Sequence, residues 1–464
     1  MMVSAFGLAW RSHVILRRPL IYCVPKVQYS SSVVAVGSVA EPVTVMVKDE
    51  KDEVAVRRRS RVGKDNKQPE WKKFSSKELG IKMSLISKPT RLVLSRLRKK
   101  GYEVYLVGGC VRDLILKKTP KDFDIITSAE LKEIKQTFIH CEIVGKRFPI
   151  CHVHVNDTIV EMHTVKPANL SFVEDRARIL RAVRIAARLG FRFSRDIALS
   201  VRELSGSVLR LDKGRILMEM NYMLAFGSAE ASLRLLWRFG LLEILLPIQA
   251  SYFVSQGFRR RDERSNMLLS LFTNLDKLVA PNLPCHSSLW IAILAFHKAL
   301  ADQPRDPLVV AAFSLAVHSG GSLLEAVQIS MNITRPHDSR FHELLEYGDV
   351  LSQDALIDQV VDLAASAKAA LCKMTDRYYV SQAMIKYPKA PRSDLVFISL
   401  ALSLRVCKIF ECIGRGMGKE TVPRRGEKIN YESLALGNLP EVRHTFARIV
   451  FDTVYPPNLK RDST

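Results

Sequence analysis

The 464-residue sequence lacks paired cysteines and lacks any zinc-type cluster of cysteine and histidine. Its eight cysteines stand apart along the chain, and none of them forms a CxxC pair. A disulfide framework or a structural zinc site is therefore not expected, and a reducing compartment fits best. A P-loop phosphotransferase is excluded as well, because the motif GxxxxGK[ST] does not occur.

Long apolar runs are also missing from the sequence. No window reaches the roughly 18 uninterrupted apolar residues of a membrane span, so no membrane partner is expected. Positive charge is abundant, with 70 Lys and Arg against 47 Asp and Glu and a formal net charge of +23. Such a surplus favours a polyanionic partner such as RNA, because each phosphate contact releases counterions. When charge alone is considered, the alternative to an RNA-binding protein is a basic protein without a nucleic-acid partner.

The first 40 residues contain no acidic side chain, although they carry four basic ones and several serines. This composition is typical of an organelle transit peptide over residues 1–40, and we expect import into a mitochondrion or a chloroplast. The alternative is a disordered N-terminal arm. Residues 41–86 join the acidic run KDEKDE to a group of arginines and are predicted to form a basic flexible linker.

The folded part of the chain is predicted to begin near Ser87 with an α/β head and to continue as helices. Short apolar runs predict five strands: Val104–Val107, Phe123–Ile126, Cys141–Val144, Ile150–Val155 and Thr158–His163. From Glu174 onward the periodicity is helical almost throughout. The predicted fold class is therefore α+β, a small head with a mixed sheet followed by an elongated all-helical neck and body. The expected domains are 87–170 for the head, 171–250 for the helical neck and RNA-binding region, and 251–464 for the helical body and tail.

Two carboxylates, Asp122 and Asp124, flank Phe123 on one of these predicted strands. Because side chains alternate along a strand, both carboxylates are expected on one face. They repel each other there unless a cation lies between them. Mg²⁺ suits such a place, since it prefers few carboxylates together with substrate phosphates. Two such ions can activate an attacking 3′-hydroxyl and stabilise a leaving pyrophosphate.

Two glycines, Gly108 and Gly109, end a predicted strand where a helix begins. Glycine lets backbone N–H groups approach a phosphate closely, and a helix N-terminus carries partial positive charge. Alone, a DxD sequence is more often a solvated turn, and a Gly-Gly pair is found in many turns. The two motifs together, with Arg112 and Lys121 beside them, favour a site for a metal-bound nucleotide.

The segment LVGGCVRDLILKKTPKDFDIITS, from Leu106 to Ser128, closely resembles the signature of the class II nucleotidyltransferases. This family comprises the bacterial-type poly(A) polymerases and the CCA-adding tRNA nucleotidyltransferases. The resemblance continues through VGKRFPICHVHV, IVEMHT and EDRARILRAVRIAARLGF, and it covers roughly Pro89 to Pro247. It implies a template-independent enzyme that uses Mg²⁺ to add nucleotides to the 3′ end of an mRNA or a tRNA.

The resemblance also implies a role for each matching residue. It implies two metal ligands of the catalytic centre and a third acid that assists them: Asp122, Asp124 and Glu161. It implies a nucleotide-binding set in the loop and the neck: Gly108, Gly109, Arg112, Asp113, Lys121, Glu174, Asp175 and Arg178. Three further arginines of the neck are expected to contact RNA: Arg181, Arg184 and Arg188.

The base-reading part of that set lies on a predicted helix from Glu174 to Leu189. Residues 174, 175 and 178 share one face of a helix by their i+3 and i+4 spacing, as a pocket requires. The alternative interpretation is a salt-bridged, arginine-rich surface. The strand from Arg147 to Val153, with its RFPxxHV pattern, is more similar to the poly(A) polymerase branch. ATP is therefore the expected substrate, and CCA addition from CTP and ATP is the alternative.

The chain departs from the family pattern after Glu161. Only twelve residues separate Glu161 from Glu174, where the resemblance implies several tens, including an Arg-Arg-Asp-Phe-Thr motif that this chain lacks. Val165 and Lys166 also stand where Phe-Arg is usual. The shortening predicts an unpaired strand edge and an uncovered apolar face in the head. It leaves open a third interpretation, a catalytically impaired RNA-binding isoform.

Overall fold

The computed structural model of the chain describes residues 78–115, 117–145, 149–164, 167–345, 352–415 and 428–457. The predicted transit peptide and most of the predicted linker lie outside these residues. The described part has one sheet, whose strands are β1 (Val104–Val107), β2 (Asp124–Thr127), β3 (Cys141–Val144), β4 (Ile150–Val155) and β5 (Thr158–Thr164). Three helices belong to the same region: α1 (Lys88–Lys99), α2 (Gly109–Ile115) and α3 (Leu131–Thr137). A short 3-10 segment, Met83–Leu85, precedes them.

The strand order in the sheet is β1-β2-β5-β4-β3. Strands β2 and β5 are parallel, and every other neighbouring pair is antiparallel. The sheet is therefore mixed, as the sequence predicts. Its centre is β5, which joins the antiparallel pair β1–β2 to the antiparallel pair β3–β4.

One face of this sheet packs against α1 and α3 and forms the core of the head. Helix α1 begins after Ser87, whose Oγ accepts a hydrogen bond from the Thr90 amide at 3.2 Å. Pro89 stands in the first turn, where its missing N–H costs no hydrogen bond. Helix α1 packs against β1 and β5, and α3 packs against β3 and β4; the buried members of these strands include Val153 and Met162. The side chains at the intervening positions of the strands project from the opposite face of the sheet.

The rest of the described chain is helical, as predicted. It begins with α4 (Ala168–Glu174), α5 (Ala177–Leu189), α6 (Arg195–Glu203), a 3-10 segment (Ser205–Arg210), α7 (Lys213–Leu224), α8 (Ala229–Arg238), α9 (Leu242–Leu245) and α10 (Pro247–Ser255). It continues with α11 (Met267–Leu278), α12 (Ser287–Asp302), α13 (Pro307–His318), α14 (Leu323–Met331), α15 (Gln353–Thr375), α16 (Arg377–Gln382), α17 (Leu400–Arg415), α18 (Tyr431–Leu436) and α19 (Leu439–Val454). One apolar cluster, from Ala168 to Tyr455, runs through these helices and is separate from the core of the head.

Three local expectations are corrected by the structure. The strand predicted from Phe123 begins at Asp124, so Asp122 lies in the loop before it. The single helix predicted over 174–189 is broken, because Asp175 has an extended backbone (φ −134°, ψ 101°) between α4 and α5. Ile86, inside the predicted linker, is buried in the core of the head. The linker is predicted from the mixed charge of residues 41–86 as a whole, and a single core residue at its end does not change that composition.

The predicted unpaired strand edge does not occur at β5. Although the connection to α4 is short, β5 pairs with β2 on one side and β4 on the other, so the edges of the sheet are β1 and β3. Apolar side chains are nevertheless exposed around this connection. Ile159, Leu170 and Val173 are 52%, 56% and 55% exposed. In the described ranges, no helix combines the length and the apolar character needed to cross a membrane.

Candidate active site

The open face of the sheet brings together three ligand-type side chains from β2 and β5. The parallel register pairs Ile125 with Met162 and Ile126 with His163, so Asp124 begins β2 beside Glu161. Since side chains alternate along both strands, Asp124, Glu161 and His163 point to the same face. A carboxylate oxygen of each acid and a ring nitrogen of His163 all lie within 4.8 Å of one another.

The glycine loop lies directly against this cluster. Gly108 has a positive φ of 76°, and a Cβ at this position would stand 2.9 Å from Oδ2 of Asp124. Any side chain would therefore collide with the carboxylate and would also strain the backbone. Gly109 follows as the first residue of α2, so the end of β1, the loop and the start of a helix all adjoin Asp124.

The charges of the cluster favour a bound cation. Burial, and then the negative charges of Asp122 and Glu161, raise the pKa of Asp124, while His163 lowers it. Asp122 is exposed in the loop before β2, and its negative charge still raises the pKa of Asp124. A divalent ion would relieve this repulsion, and two carboxylates with an imidazole are a donor set that divalent metals accept. The residues present therefore fit a metal ion.

The other residues predicted to act with the phosphate-binding loop lie on α2 and in the loop before β2. Lys121 is exposed in the loop before β2. Asp113 lies on α2, and its carbonyl oxygen accepts a hydrogen bond from the Lys118 amide at 2.8 Å. The backbone of Arg112 belongs to α2, whereas its side chain lies outside the described part, as does Arg147 of the predicted RFPxxHV strand. The described strand there begins at Ile150.

The predicted base-reading residues meet at the break between α4 and α5, and not on one helix face. Nη1 of Arg178 donates to Oε2 of Glu174 at 3.2 Å and to Oγ of Ser171 at 2.8 Å. Asp175 is buried, with 7% of its surface exposed. Its Oδ1 accepts from the Ala177 amide at 3.0 Å, and its Oδ2 lies 3.7 Å from a nitrogen of Arg215. These contacts hold the break in place and orient Arg178.

The three arginines expected to contact RNA form a row along α5. Arg181 and Arg184 lie 3.8 and 3.4 Å from the carboxylate of Glu219, which is 1% exposed on α7. The guanidinium of Arg184 also lies 4.8 Å from the ring centre of Tyr222, and that of Arg188 lies 5.9 Å from the ring centre of Phe226. These arginines therefore make contacts within the protein, as the salt-bridged alternative predicts. The same contacts are compatible with RNA binding.

Sequence reasoning missed His163 and Arg215. His163 stands two residues after Glu161, so strand periodicity alone would have placed both on one face. Arg215 is 40 positions from Asp175 in the chain, and no local pattern joins the two. Its contact with Asp175 depends on how α7 packs against α5.

Comparison with known proteins agrees with this geometry. Residues 104–189 match the poly A polymerase head domain, and residues 190–253 match the region described as the probable RNA and SrmB-binding site of polymerase A. Poly(A) polymerase I of Escherichia coli O6:H1 is 26% identical over 351 residues, covering 56% of this chain and 76% of that protein. The CC-adding tRNA nucleotidyltransferase of Halalkalibacterium halodurans is 26% identical over 154 residues, covering 24% of this chain and 41% of that protein.

Among solved structures, the CCA-adding enzyme of Bacillus stearothermophilus in complex with CTP is 19% identical, with a TM-score of 0.26 over 72% of this chain and 95% of that one. A likeness of that size has no bearing on activity. The sequence matches do bear on activity, and they support a nucleotidyltransferase that acts on RNA 3′ ends. Residues 104–253 therefore form the head and RNA-binding domains of the poly A polymerase type, and the chain is homologous to bacterial poly(A) polymerase I and the CCA-adding enzymes.

Proposed function

We propose that this protein adds AMP from ATP to RNA 3′ ends, with Asp122 and Asp124 holding two magnesium ions and Glu161 assisting. The observation that supports this most is the packing of the glycine loop against Asp124, because the turn proposed to bind phosphate then adjoins the proposed metal ligands. The divalent ions, when bound, supply Lewis-acid stabilisation of the charge that develops on the phosphates. The protein itself holds the carboxylates and the loop in fixed positions before substrate arrives.

Each part of the site has a separate task in this proposal. The amide groups at Gly108 and Gly109, at the start of α2, bind the triphosphate of the incoming nucleotide. Arg112, Asp113 and Lys121 brace the loop and its phosphates. Glu174, Asp175 and Arg178 read the base. A pocket that hydrogen-bonds one base edge can reject other bases strongly, because a wrong base leaves buried polar groups unpaired.

RNA is proposed to bind along the basic side of α5, through Arg181, Arg184 and Arg188. The family match over residues 190–253 supports an RNA-binding region that begins where α5 ends. The formal charge of +23 supports a polyanionic substrate in general terms. The domain division proposed for the chain follows the same plan, with the head at 87–170, the neck and RNA-binding region at 171–250, and the body and tail at 251–464.

ATP is preferred as the substrate because the alignment with a poly(A) polymerase spans more of this chain than the alignment with the CC-adding enzyme, 56% against 24%. CCA addition to tRNA, from CTP and ATP, remains the second candidate, since that enzyme is also 26% identical in the region it matches.

The shortened connection after Glu161 bears on activity. The alignment with the Escherichia coli protein has 351 positions but includes only 56% of this chain's 464 residues, about 260. The relative therefore has many residues between the aligned ends that this chain lacks. In the structure only residues 165–167 separate β5 from α4. Because misplacement of substrate is costly in rate, the third candidate is an RNA-binding isoform with impaired catalysis.

One experiment separates the three candidates. The purified full chain is incubated with Mg²⁺, an RNA oligomer or a tRNA lacking its terminal CCA, and each labelled nucleoside triphosphate in turn. Extension of the RNA with ATP alone supports poly(A) addition. Incorporation of CTP followed by ATP, on the tRNA only, would replace the proposal by CCA addition. Binding of RNA without any extension would establish the impaired isoform.

Import into a mitochondrion or a chloroplast is proposed from the composition of residues 1–40. The test is a fusion of residues 1–60 to a fluorescent protein, expressed in plant cells and in animal cells. Replacing Arg11, Arg17 and Arg18 by glutamate in the same fusion is expected to abolish import. A diffuse signal from the unchanged fusion in both cell types would contradict the proposal.

A further inference from the structure

We propose that Cys141 and Cys151 are a modification site, at which hydrogen peroxide forms a reversible disulfide bond between β3 and β4 of the head. The inference does not depend on the proposed function. In a reducing compartment the two sulfurs remain thiols, so the bond is not part of a permanent disulfide framework. It forms only when peroxide is present, and a dithiol reductant removes it.

The pairing of β3 with β4 brings the two sulfur atoms together. Cys141 pairs with Val153 and Cys151 pairs with Ile143, so the two cysteines occupy diagonal positions of one strand pair. Both side chains belong to the core face of the sheet. Their Sγ atoms lie 3.0 Å apart. A disulfide bond measures about 2.03–2.05 Å, so the sulfurs have to approach each other by about an ångström.

The two cysteines differ in their access to solvent. Cys141 is half-buried at the start of the edge strand β3, and Cys151 is fully buried. Burial, and then the neighbouring Cys141, raise the pKa of Cys151 to about 12. Because peroxide oxidises the thiolate and needs access to it, the first attack falls on Cys141. Cys151 then reaches the oxidised sulfur without leaving the core.

The reaction has two steps. In the first, the sulfur of Cys141 attacks one oxygen of hydrogen peroxide, so that an S–O bond forms, the O–O bond breaks and one water leaves. In the second, the sulfur of Cys151 attacks the sulfur of this sulfenic acid. The S–S bond forms, the S–O bond breaks, and the departing hydroxide takes the thiol proton of Cys151 and leaves as a second water. Two thiols are thereby oxidised to one disulfide, and one peroxide is reduced to two waters.

The bond acts on an exposed edge of the head. Strand β3 is the last strand of the sheet, and its Ile143 and Val144 are 46% and 38% exposed. An edge strand with exposed apolar side chains can pair with another chain once it moves away from its neighbour. The disulfide fastens β3 to β4, and it also protects the sulfur of Cys141 from irreversible oxidation to a sulfinic acid.

The test identifies the bond by mass. Reduced full-length protein is treated with hydrogen peroxide, its remaining thiols are alkylated, and the denatured chain is digested with trypsin. Lys146 and Arg147 stand between the two cysteines in the sequence, so trypsin places them in separate peptides that only a disulfide joins. The test variant is Cys141→Ser. The matched control is Cys372→Ser, because Cys372 is exposed on α15.

We expect the joined peptides in the unchanged protein and in Cys372→Ser, their loss when a dithiol reductant is added, and none in Cys141→Ser. Hydrogen exchange of the β3 and β4 amides should slow by about tenfold or more in the oxidised protein, because the link restricts local opening. Exchange in α12 should stay unchanged.

The decisive measurement is made on the unchanged protein, so it does not depend on how well a variant folds. Absence of the joined peptides after peroxide treatment would overturn the inference, whether Cys141 is then found as a thiol or as a sulfinic acid. A disulfide that joins Cys141 to a cysteine other than Cys151 would overturn it as well.

Discussion

The head and the body bury their apolar residues in different ways. The core of the head lies on one side of a five-stranded sheet, and its buried members among the described residues are mainly Val, Leu and Ile, with Phe138 as the one aromatic. The body has a much larger cluster that runs through its helices from Ala168 to Tyr455. Every aromatic side chain among the largest fully buried residues belongs to the body, including Trp290 and Phe446.

The head and the body also differ in how their polar groups are partnered. The open face of the head carries acids and histidines that face solvent and one another, as at Asp124 and Glu161. Buried acids of the body have fixed partners, as with Glu219 and two arginines or Glu243 and Arg260. Stability is thus expected to reside mainly in the body, while the head leaves one face of its sheet free for chemistry. Four variants test this division.

The largest expected effect is on catalysis in the head. Asp124→Asn keeps the shape of the side chain but removes a negative charge from the metal site, so nucleotide incorporation should fall by about a thousandfold. The melting temperature should not fall, because burial and the negative charges of Asp122 and Glu161 oppose ionisation of this carboxyl and raise its pKa. A primer-extension assay measures the rate. Asp157→Asn, at the exposed turn between β4 and β5, is the control and should keep full activity.

The next effect concerns the stability of the body. Phe446 is fully buried, with its ring centre 5.5 Å from that of Phe296 and 5.6 Å from that of Phe410. Phe446→Ala should lower the free energy of unfolding by about 3–5 kcal/mol through lost burial and a cavity. Urea denaturation measures the change, and Leu436→Ala, 69% exposed, is the control. A loss below about 1 kcal/mol would contradict the view that the body carries most of the stability.

A smaller effect is expected from Asp276, which belongs to α11. Its two carboxylate oxygens accept hydrogen bonds from the amides of Ala229 and Glu230 at the start of α8, at 2.8 and 2.9 Å. Asp276→Ala leaves both amides without this acceptor, so the free energy of unfolding should fall by about 1–3 kcal/mol. Asp358→Ala, exposed on α15, is the control.

The effect of Asp276 should also depend on pH. Burial raises its pKa to about 6, although the two amides act in the opposite direction. Because the folded-state pKa lies above the unfolded value of about 3.9, its contribution to stability is fully present below about pH 4. It is lost as the pH rises through 6. The difference in unfolding free energy between the unchanged protein and Asp276→Ala should therefore be larger at pH 5 than at pH 7.5, and denaturation at both values would reveal a reversed order.

The smallest effect is expected at the first helix of the head. Ser87→Ala removes the acceptor that caps the Thr90 amide, at a cost of about 1 kcal/mol. Hydrogen exchange of the α1 amides should increase, while exchange in α12 and α13 of the body stays unchanged. Ser84→Ala, exposed in the preceding 3-10 segment, is the control. Equal destabilisation of head and body amides would mean that the two regions unfold together.

Much of this plan could be predicted because the signals are local. Three of the five strands have their predicted bounds, and the other two differ only at their ends, because short β-branched runs between turns identify strands well. Helical periodicity likewise predicted that the chain after the head is helical almost throughout. The break at Asp175 was missed, since the sequence from Glu174 to Leu189 has a continuous helical pattern. Its cause is tertiary: Asp175 lies beside Arg215 and caps α5 through the Ala177 amide.

By itself the sequence determined the chemical types of the site: a turn that only glycine permits, acids at alternate positions, and a basic chain suited to RNA. These follow from residue size, charge and strand or helix periodicity, which act over a few neighbouring residues. Only the tertiary structure decided which of these groups meet. Asp124 and His163 are 39 positions apart, and they share one face because β2 and β5 pair in parallel in one register. Strand pairing is a long-range choice set by burial of the whole sheet, and no local pattern contains it.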